Sequence, residues 1–239
     1  TLDAFPPAAR MATAVTPRYA LSCTEPLMLS AGQLAKDHDA IIQTHLAENT
    51  DECRLVSEAF GGARYVDVYE NVGLLGPRSL FGHGIYLDDQ DRRKLASSGS
   101  MIAHCPTANS FLSSGTMDRR SHFRSQLGMT LGSDIGAGYE RSMVRVARAM
   151  IDAAMRLSKD PSHFPSAAEA WWQITQGNAS AMGWTDVGRI EIGASADVLC
   201  IEPDIPWLKA TDPLAMLLFA WDDRWIQQTF LQGRVSYQG

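Results

Sequence analysis

Four residues able to do acid-base or metal chemistry stand at the ends of short apolar runs: His45, Glu48 three positions further on, His83 and Asp134. Imidazole nitrogen and carboxylate oxygen are ordinary zinc ligands, and a catalytic zinc keeps one position open for water. A zinc-bound water ionises near pH ~7, which makes hydroxide available under neutral conditions. Glu48, offset from His45 by three residues, reads as a proton shuttle beside the metal rather than a ligand. A single histidine at a strand end is more often a hydrogen-bonded loop residue. Four such groups at successive strand exits point instead to one site.

The elements that must position these groups follow from the hydrophobic pattern. Strand-length apolar runs alternate with stretches of helical period, the pattern of repeated strand-helix units around a parallel sheet. Strands are expected at Met11 to Thr16, Ala40 to His45, Arg78 to His83, Ser100 to Cys105 and Gly128 to Asp134. Helices are expected at Pro26 to His38, after a cap at Asn49 or Thr50, at Asp88 to Ser98, from about Met117 after a Ser/Gly loop, and from Arg141 to Leu157. In parallel α/β sheets the site lies at the carboxyl ends of the strands, so these exits should converge. After Pro165 the pattern changes. A helix is expected from Ala167 to Met182, then strand-like runs at Gly188 to Ile192 and Ala196 to Ile201, and a last pair at Trp225 to Phe230 and Arg234 to Tyr237, hinged at Gln232-Gly233. The domain reading is therefore 1–184 for the strand-helix units and 185–239 for a small β appendage.

Composition narrows the function classes. The 239 residues are 45% hydrophobic and 20% charged, with 27 acidic against 21 basic side chains, a formal net charge of -6. That is a globular composition. The acidic excess and the lack of a basic stripe argue against a nucleic-acid partner held by counterion release. No apolar run approaches the ~20 residues of a membrane span. The start, Thr1 to Pro7, has neither a basic region nor an apolar leader, so a cytoplasmic location is expected. Cys23, Cys53, Cys105 and Cys200 lie far apart without a Cys-x-x-Cys pair and read as reduced and buried.

Motifs at the strand exits make the reading specific. Thr44-His45-Leu46-Ala47-Glu48-Asn49, His83-Gly84-Ile85-Tyr86-Leu87, Ala103-His104-Cys105-Pro106-Thr107-Ala108-Asn109 and Leu131-Gly132-Ser133-Asp134 occur in this order. Together they resemble the barrel motifs of the amidohydrolase superfamily, in its deaminase and chlorohydrolase branch. The segment Gly188 to Asp197 is similar to the element that returns such chains to a small β-sandwich. Thr16 to Cys23, Ser114-Gly115 and Gly136-Ala137-Gly138-Tyr139 narrow the likeness to the guanine deaminase family.

The resemblance implies a (β/α)8 barrel present in part, about strands four to eight, with a C-terminal β-sandwich element. It implies one divalent metal ion, zinc or iron, held by His45 and Asp134, with Asp134 also taking a proton from the attacking water. Glu48 would protonate a ring nitrogen, His83 would hydrogen-bond the water at the metal, and Arg18 and Tyr19 would contact a purine substrate. The implied reaction is hydrolysis of guanine to xanthine and ammonia, in a homodimer whose interface includes the Leu214 to Trp221 run. One departure stands out: the family's first strand ends in His-x-His, which supplies two further ligands, and no His-x-His occurs in this sequence. The chain then reads as the latter part of a longer enzyme, binding metal weakly and inactive alone.

The other histidines do not replace the missing pair. His38 reads as a solvated cation at a helix end, His122 and His163 as residues of surface segments, and His104 as a structural hydrogen bonder. Arg145 and Arg148 read as a solvated face of the long helix, and Ala108 stands where the family usually has Ser. The Gly-rich turns lack the spacing of a phosphate cradle, and Ser113-Ser114-Gly115 is not a nucleophile elbow. Two other functions remain open: a related hydrolase acting on a pterin, triazine or adenine-like ring, and a non-catalytic relic that binds purine or a partner.

Overall fold

Short runs with mostly buried side chains set up the main sheet. The computed structural model describes residues 11–239, so the reading of Thr1 to Pro7 lies outside the described residues. Five strands, β1 (Ala14–Val15), β2 (Ile41–Leu46), β3 (Ser79–His83), β4 (Met101–His104) and β5 (Gly128–Leu131), line up in sequence order. β1 to β4 pair in parallel, with Val15 opposite Ile42, Leu46 opposite His83 and Gly82 opposite Ala103. All five expected strands are present, most of them shorter than the apolar runs that announce them. β1 stops at Val15 because the chain runs into Pro17, which has no N–H to give a ladder. The α/β class expected from the sequence is the class observed, as five strand-helix units of the (β/α)8 kind.

The chain folds as two compact units, one running up to Cys105 and taking in Asn109–Met129, the other made of Pro106–Ala108 and Thr130–Gly239. In the first unit the helices are α1 (Glu25–Asp37), α2 (Thr50–Ala59), α3 (Tyr65–Asn71) and α4 (Asp89–Ser98), then α6 (Arg119–Arg124). α5 (Pro106–Phe111) runs across the division. Caps fix the starts: Asn49 Oδ1 accepts from Glu52 N at 2.8 Å while Glu52 Oε2 accepts from Asn49 N at 3.4 Å, a reciprocal pair that opens α2. α5 corrects the sequence reading, which has a loop there, and α3 falls in a segment to which the sequence reading assigns no element. α3 is short but buries Tyr65, Val66, Val68 and Tyr69, and α5 starts on Pro106, a residue preorganised for a first helical turn. The core of this unit is built on Met28, Leu46, Val56, Tyr69, Phe81, Leu95 and Ile102, all fully buried. Tyr69 and Phe81 stack at 5.5 Å.

The second unit holds α7 (Met143–Leu157), which buries Val146, Ala147 and Met150. The helix expected from Ala167 onward is α8 (Ala167–Trp172), a π-helical turn at Gln173–Gly177 and α9 (Asn178–Ala181). Beyond the π turn, the Asn178 amide accepts from Leu131 N at 2.8 Å and donates to Leu131 O at 3.0 Å, closing on both backbone groups of the last residue of β5. α10 (Pro213–Ala220) buries Leu217 and Leu218, and Trp171, Trp221 and Trp225 meet edge to face at 5.7 and 5.9 Å. Part of the run assigned to an interface thus lies in this unit's own core, while Leu214 and Phe219 stay exposed. Arg145 and Arg148 are not simply solvated. Arg145 pairs with Asp223 at 3.5 Å, and Arg148 donates to Phe219 O at 3.1 Å.

The appendage is an antiparallel sheet of β6 (Val198–Ile201), β7 (Ile226–Leu231) and β8 (Arg234–Gln238) in that order. Its hairpin turns at Gln232 (φ 52°) and Gly233 (φ 74°), where the sequence places it. The run at Gly188 to Ile192 is not a strand: Ile190 and Ile192 are fully exposed, and Arg189 bonds locally to Glu191 at 2.6 Å and to Thr185 O. The alternation of two isoleucines mimics a half-buried strand. Among the described residues no helix is long and apolar enough to cross a membrane.

Candidate functional site

The exits of β2 and β3 carry His45 and His83, and backbone bonds hold the two following loops together. Gly84 N donates to Leu46 O at 2.9 Å, and Ile85 N and Tyr86 N donate to Ala47 O at 3.0 and 3.2 Å. The imidazoles stack at 5.3 Å between centroids. The Nδ1 atoms are tied off alike. His45 Nδ1 lies 2.6 Å from Arg18 O, and His83 Nδ1 lies 2.8 Å from Asn109 Oδ1. A ring nitrogen that donates to an oxygen leaves the other with its lone pair, which fixes the tautomer a metal ligand or a water acceptor needs. The Arg18 carbonyl also accepts from His45 N at 3.1 Å and Thr44 Oγ1 at 3.0 Å, while Tyr69 OH donates to His45 O at 2.7 Å.

Glu48 turns its Oε2 toward His83 Nε2 at 3.7 Å and accepts from Ser114 Oγ on Oε1 at 2.7 Å. Its backbone is held from below, Glu48 N donating to Glu52 Oε2 at 2.8 Å. Tyr65 OH donates to Glu52 Oε1 at 2.7 Å, and burial beside Tyr69 and that carboxylate pushes the Tyr65 phenol far above its ordinary range. Burial also raises Tyr69, to about 12. Both therefore stay neutral donors. Tyr19 meets the His45 ring edge-on at 6.4 Å, and the exposed Arg18 guanidinium lies 5.6 Å from the Tyr19 ring.

The first unit thus brings together five of the six residues singled out from the sequence: Arg18, Tyr19, His45, Glu48 and His83. Asp134 belongs to the second unit, half-buried in the loop after β5. Gly138 N donates to Asp134 O at 2.8 Å, and a Cβ on Gly138 would stand 3.0 Å from the Cβ of the buried Ala108. Asp134 has φ 51°, and Ala47 (50°) and His83 (72°) also occupy the left-handed region. Non-glycine residues are held there only where their surroundings over-determine them, and such positions cluster at functional sites.

Other titratable groups lie apart from this chemistry. His104 is buried, but among the described residues its Nδ1 has no hydrogen-bond partner, unlike the hydrogen bonder expected from the sequence; burial with nearby positive charge lowers it to about 3. His122 corrects the sequence reading: it is 1% exposed, with Nδ1 2.9 Å from Asp118 O, and burial lowers its pKa. Its helix is polar in composition, yet the face carrying Ser121 and His122 turns inward. None of the four cysteines is in a disulfide; Cys105 is buried and Cys23 and Cys53 are partly so, but Cys200 is exposed, against expectation. Sequence reasoning misses Asn109 as the partner of His83, Ser114 as the partner of Glu48, and the Tyr65-Tyr69 pair. Only the tyrosine pair, four residues apart on one helix face, leaves a local signal.

The chain is similar to known proteins over most of its length. A model of the amidohydrolase family matches residues 7–236. The probable guanine deaminase of Schizosaccharomyces pombe is 34% identical over 235 residues, covering 92% of this chain and 45% of that protein. The solved structure of E. coli guanine deaminase aligns over all of this chain and 58% of its own with a TM-score of 0.93 and 29% identity. Guanine deaminase from C. acetobutylicum, solved with guanine bound in its active site, aligns with a TM-score of 0.86 and 30% identity over 92% of this chain and 54% of that one. The chain spans about half the length of the curated relatives it matches. With the family match running from residue 7 to residue 236, this chain belongs to the amidohydrolase family.

Proposed function

We propose that this chain carries part of the catalytic site of a metal-dependent hydrolase that converts guanine to xanthine and ammonia. The observation that carries the reading is the paired tying-off of His45 and His83 at Nδ1, with the Glu48 carboxylate beside the free nitrogen of His83. The likeness to guanine deaminases, one of them solved with guanine bound, supports the choice of substrate.

The residues fit a divalent ion. His45, with Nδ1 donating to a backbone carbonyl, presents Nε2 as a neutral ligand, and Asp134 adds a carboxylate in the mixed nitrogen and oxygen donor set that suits zinc or iron. When bound, the ion supplies hydroxide near neutral pH. His83 Nε2 accepts a hydrogen bond from the attacking water and orients it. Asp134 takes the water's proton as oxygen bonds to the carbon bearing the exocyclic amine. Glu48 gives a proton to the adjacent ring nitrogen, the proton held by Asp134 passes to the amine, and the C–N bond breaks to release ammonia as the new hydroxyl returns its proton to Glu48 and becomes the carbonyl of xanthine. Arg18 reaches the purine, with the Tyr19 ring beside it.

Ammonia release from guanine by the metal-loaded full-length protein that carries this chain tests the reading. Xanthine and ammonia are expected in equal amounts, and Glu48→Gln should lower kcat by about 10²- to 10⁴-fold. Release of ammonia or chloride from another nitrogen heterocycle, with none from guanine, would replace guanine by that ring. Neither turnover nor bound metal would leave a purine-binding relic as the better description.

A further inference from the structure

The Glu48 carboxylate is oriented by a residue that lies 66 positions away in the chain. Ser114 Oγ donates to Oε1 at 2.7 Å, a charge-assisted length, and Ser114 is itself buried. Its backbone is fixed on each side. Ser114 N donates to Asn109 O at 2.9 Å, and Tyr86 OH donates to Ser114 O at 2.8 Å. Ser113 sits in the left-handed region at φ 58°. Gly115 has φ 133°, and a Cβ there would stand 2.5 Å from the Tyr86 hydroxyl, so no other residue fits without moving that lock. Asn109 joins the two halves of the site: its side chain holds the His83 ring and its carbonyl holds Ser114.

We infer that Ser114 is a positioning residue for the proton-transfer step: it occupies Oε1 of Glu48 as an acceptor, so that the proton Glu48 handles is carried on Oε2, the oxygen that faces His83. A hydroxyl has one proton, and Ser114 gives it to Oε1; the carboxyl proton of neutral Glu48 then has Oε2 as its seat. The mechanistic weight of this inference rests on the proposed deamination, in which Glu48 delivers that proton to the ring. The hydrogen bond itself does not. A merely space-filling Ser114 would leave the carboxylate where it is when the hydroxyl is removed.

Two measurements on the full-length protein separate these cases. In steady-state guanine hydrolysis, Ser114→Ala should lower kcat by about tenfold to a hundredfold while KM moves less than about threefold. Ser114→Thr, which keeps a hydroxyl, should recover most of that loss. Independently, a crystal structure of the Ser114→Ala protein should show the Glu48 carboxylate rotated or without a single position. A kcat within about twofold of the unsubstituted protein, or an unmoved Glu48 in that crystal structure, would overturn the inference. If the unsubstituted protein releases no ammonia from guanine, it is the proposed function that fails, and the crystal structure alone decides whether Ser114 holds Glu48.

Discussion

His45 and His83 each commit one ring nitrogen to an oxygen supplied by a different part of the chain, and that division of labour separates legible residues from illegible ones. The histidines, Glu48 and Asp134 are readable because each follows a strand-length apolar run, so position in the pattern is position in space. Asn109 and Ser114 are not, since their partners lie 26 and 66 residues away and no periodicity encodes such a meeting. His122 misleads because its neighbours in sequence are polar and mostly surface-like while its own ring is buried. The cysteines give a residue-scale prediction. Burial first, then the charges of Glu52 and Asp91, pushes the Cys53 thiol up to about 11, whereas Cys200 is exposed. The thiolate is the nucleophile in alkylation. With iodoacetamide at pH ~8, peptide mass spectrometry should find Cys200 modified at least about tenfold faster than Cys53; equal rates would contradict the burial of Cys53.

Strands and capped helices are the most legible elements, since alternation, Asn49 before Glu52 and Asp88 before α4 are local signals of physical devices. α3 and α5 are too short to show a period, and the Ile190/Ile192 alternation shows that a strand pattern without a partner edge does not make a strand. The loops that end the strands are where side chains are aimed, and they tolerate least. Gly138 lies against the backbone and Cβ of Ala108 and 3.3 Å from Ser133 O, so a methyl group there has nothing flexible to displace. Gly138→Ala should destabilise by about 1–3 kcal/mol, the cost of overpacking. In urea unfolding the midpoint should fall with an unchanged m-value. An unchanged midpoint would mean that the loop after β5 moves freely, and with it Asp134.

At the scale of the whole molecule, two buried neutral histidines make stability depend on pH. His104, lowered to about 3 chiefly by burial, and His122, lowered for the same first reason, both titrate below the 6.5 of an unhindered histidine. Between those limits the unfolded chain binds more protons than the folded one. The stability is therefore complete above pH ~6.5 and lost as pH falls toward ~3. Urea midpoints should decline from pH ~7 to pH ~5, and His104→Gln should flatten that decline; parallel pH profiles would show that His104 contributes nothing to it. The same scale gives meaning to the π turn before α9. It brings Asn178 onto both backbone groups of Leu131, at the end of the strand that stands last in the sheet order. A side-chain amide there takes the place of a neighbouring peptide, so one asparagine sets the point at which the chain leaves the ladder of β5 for the loop that carries Asp134.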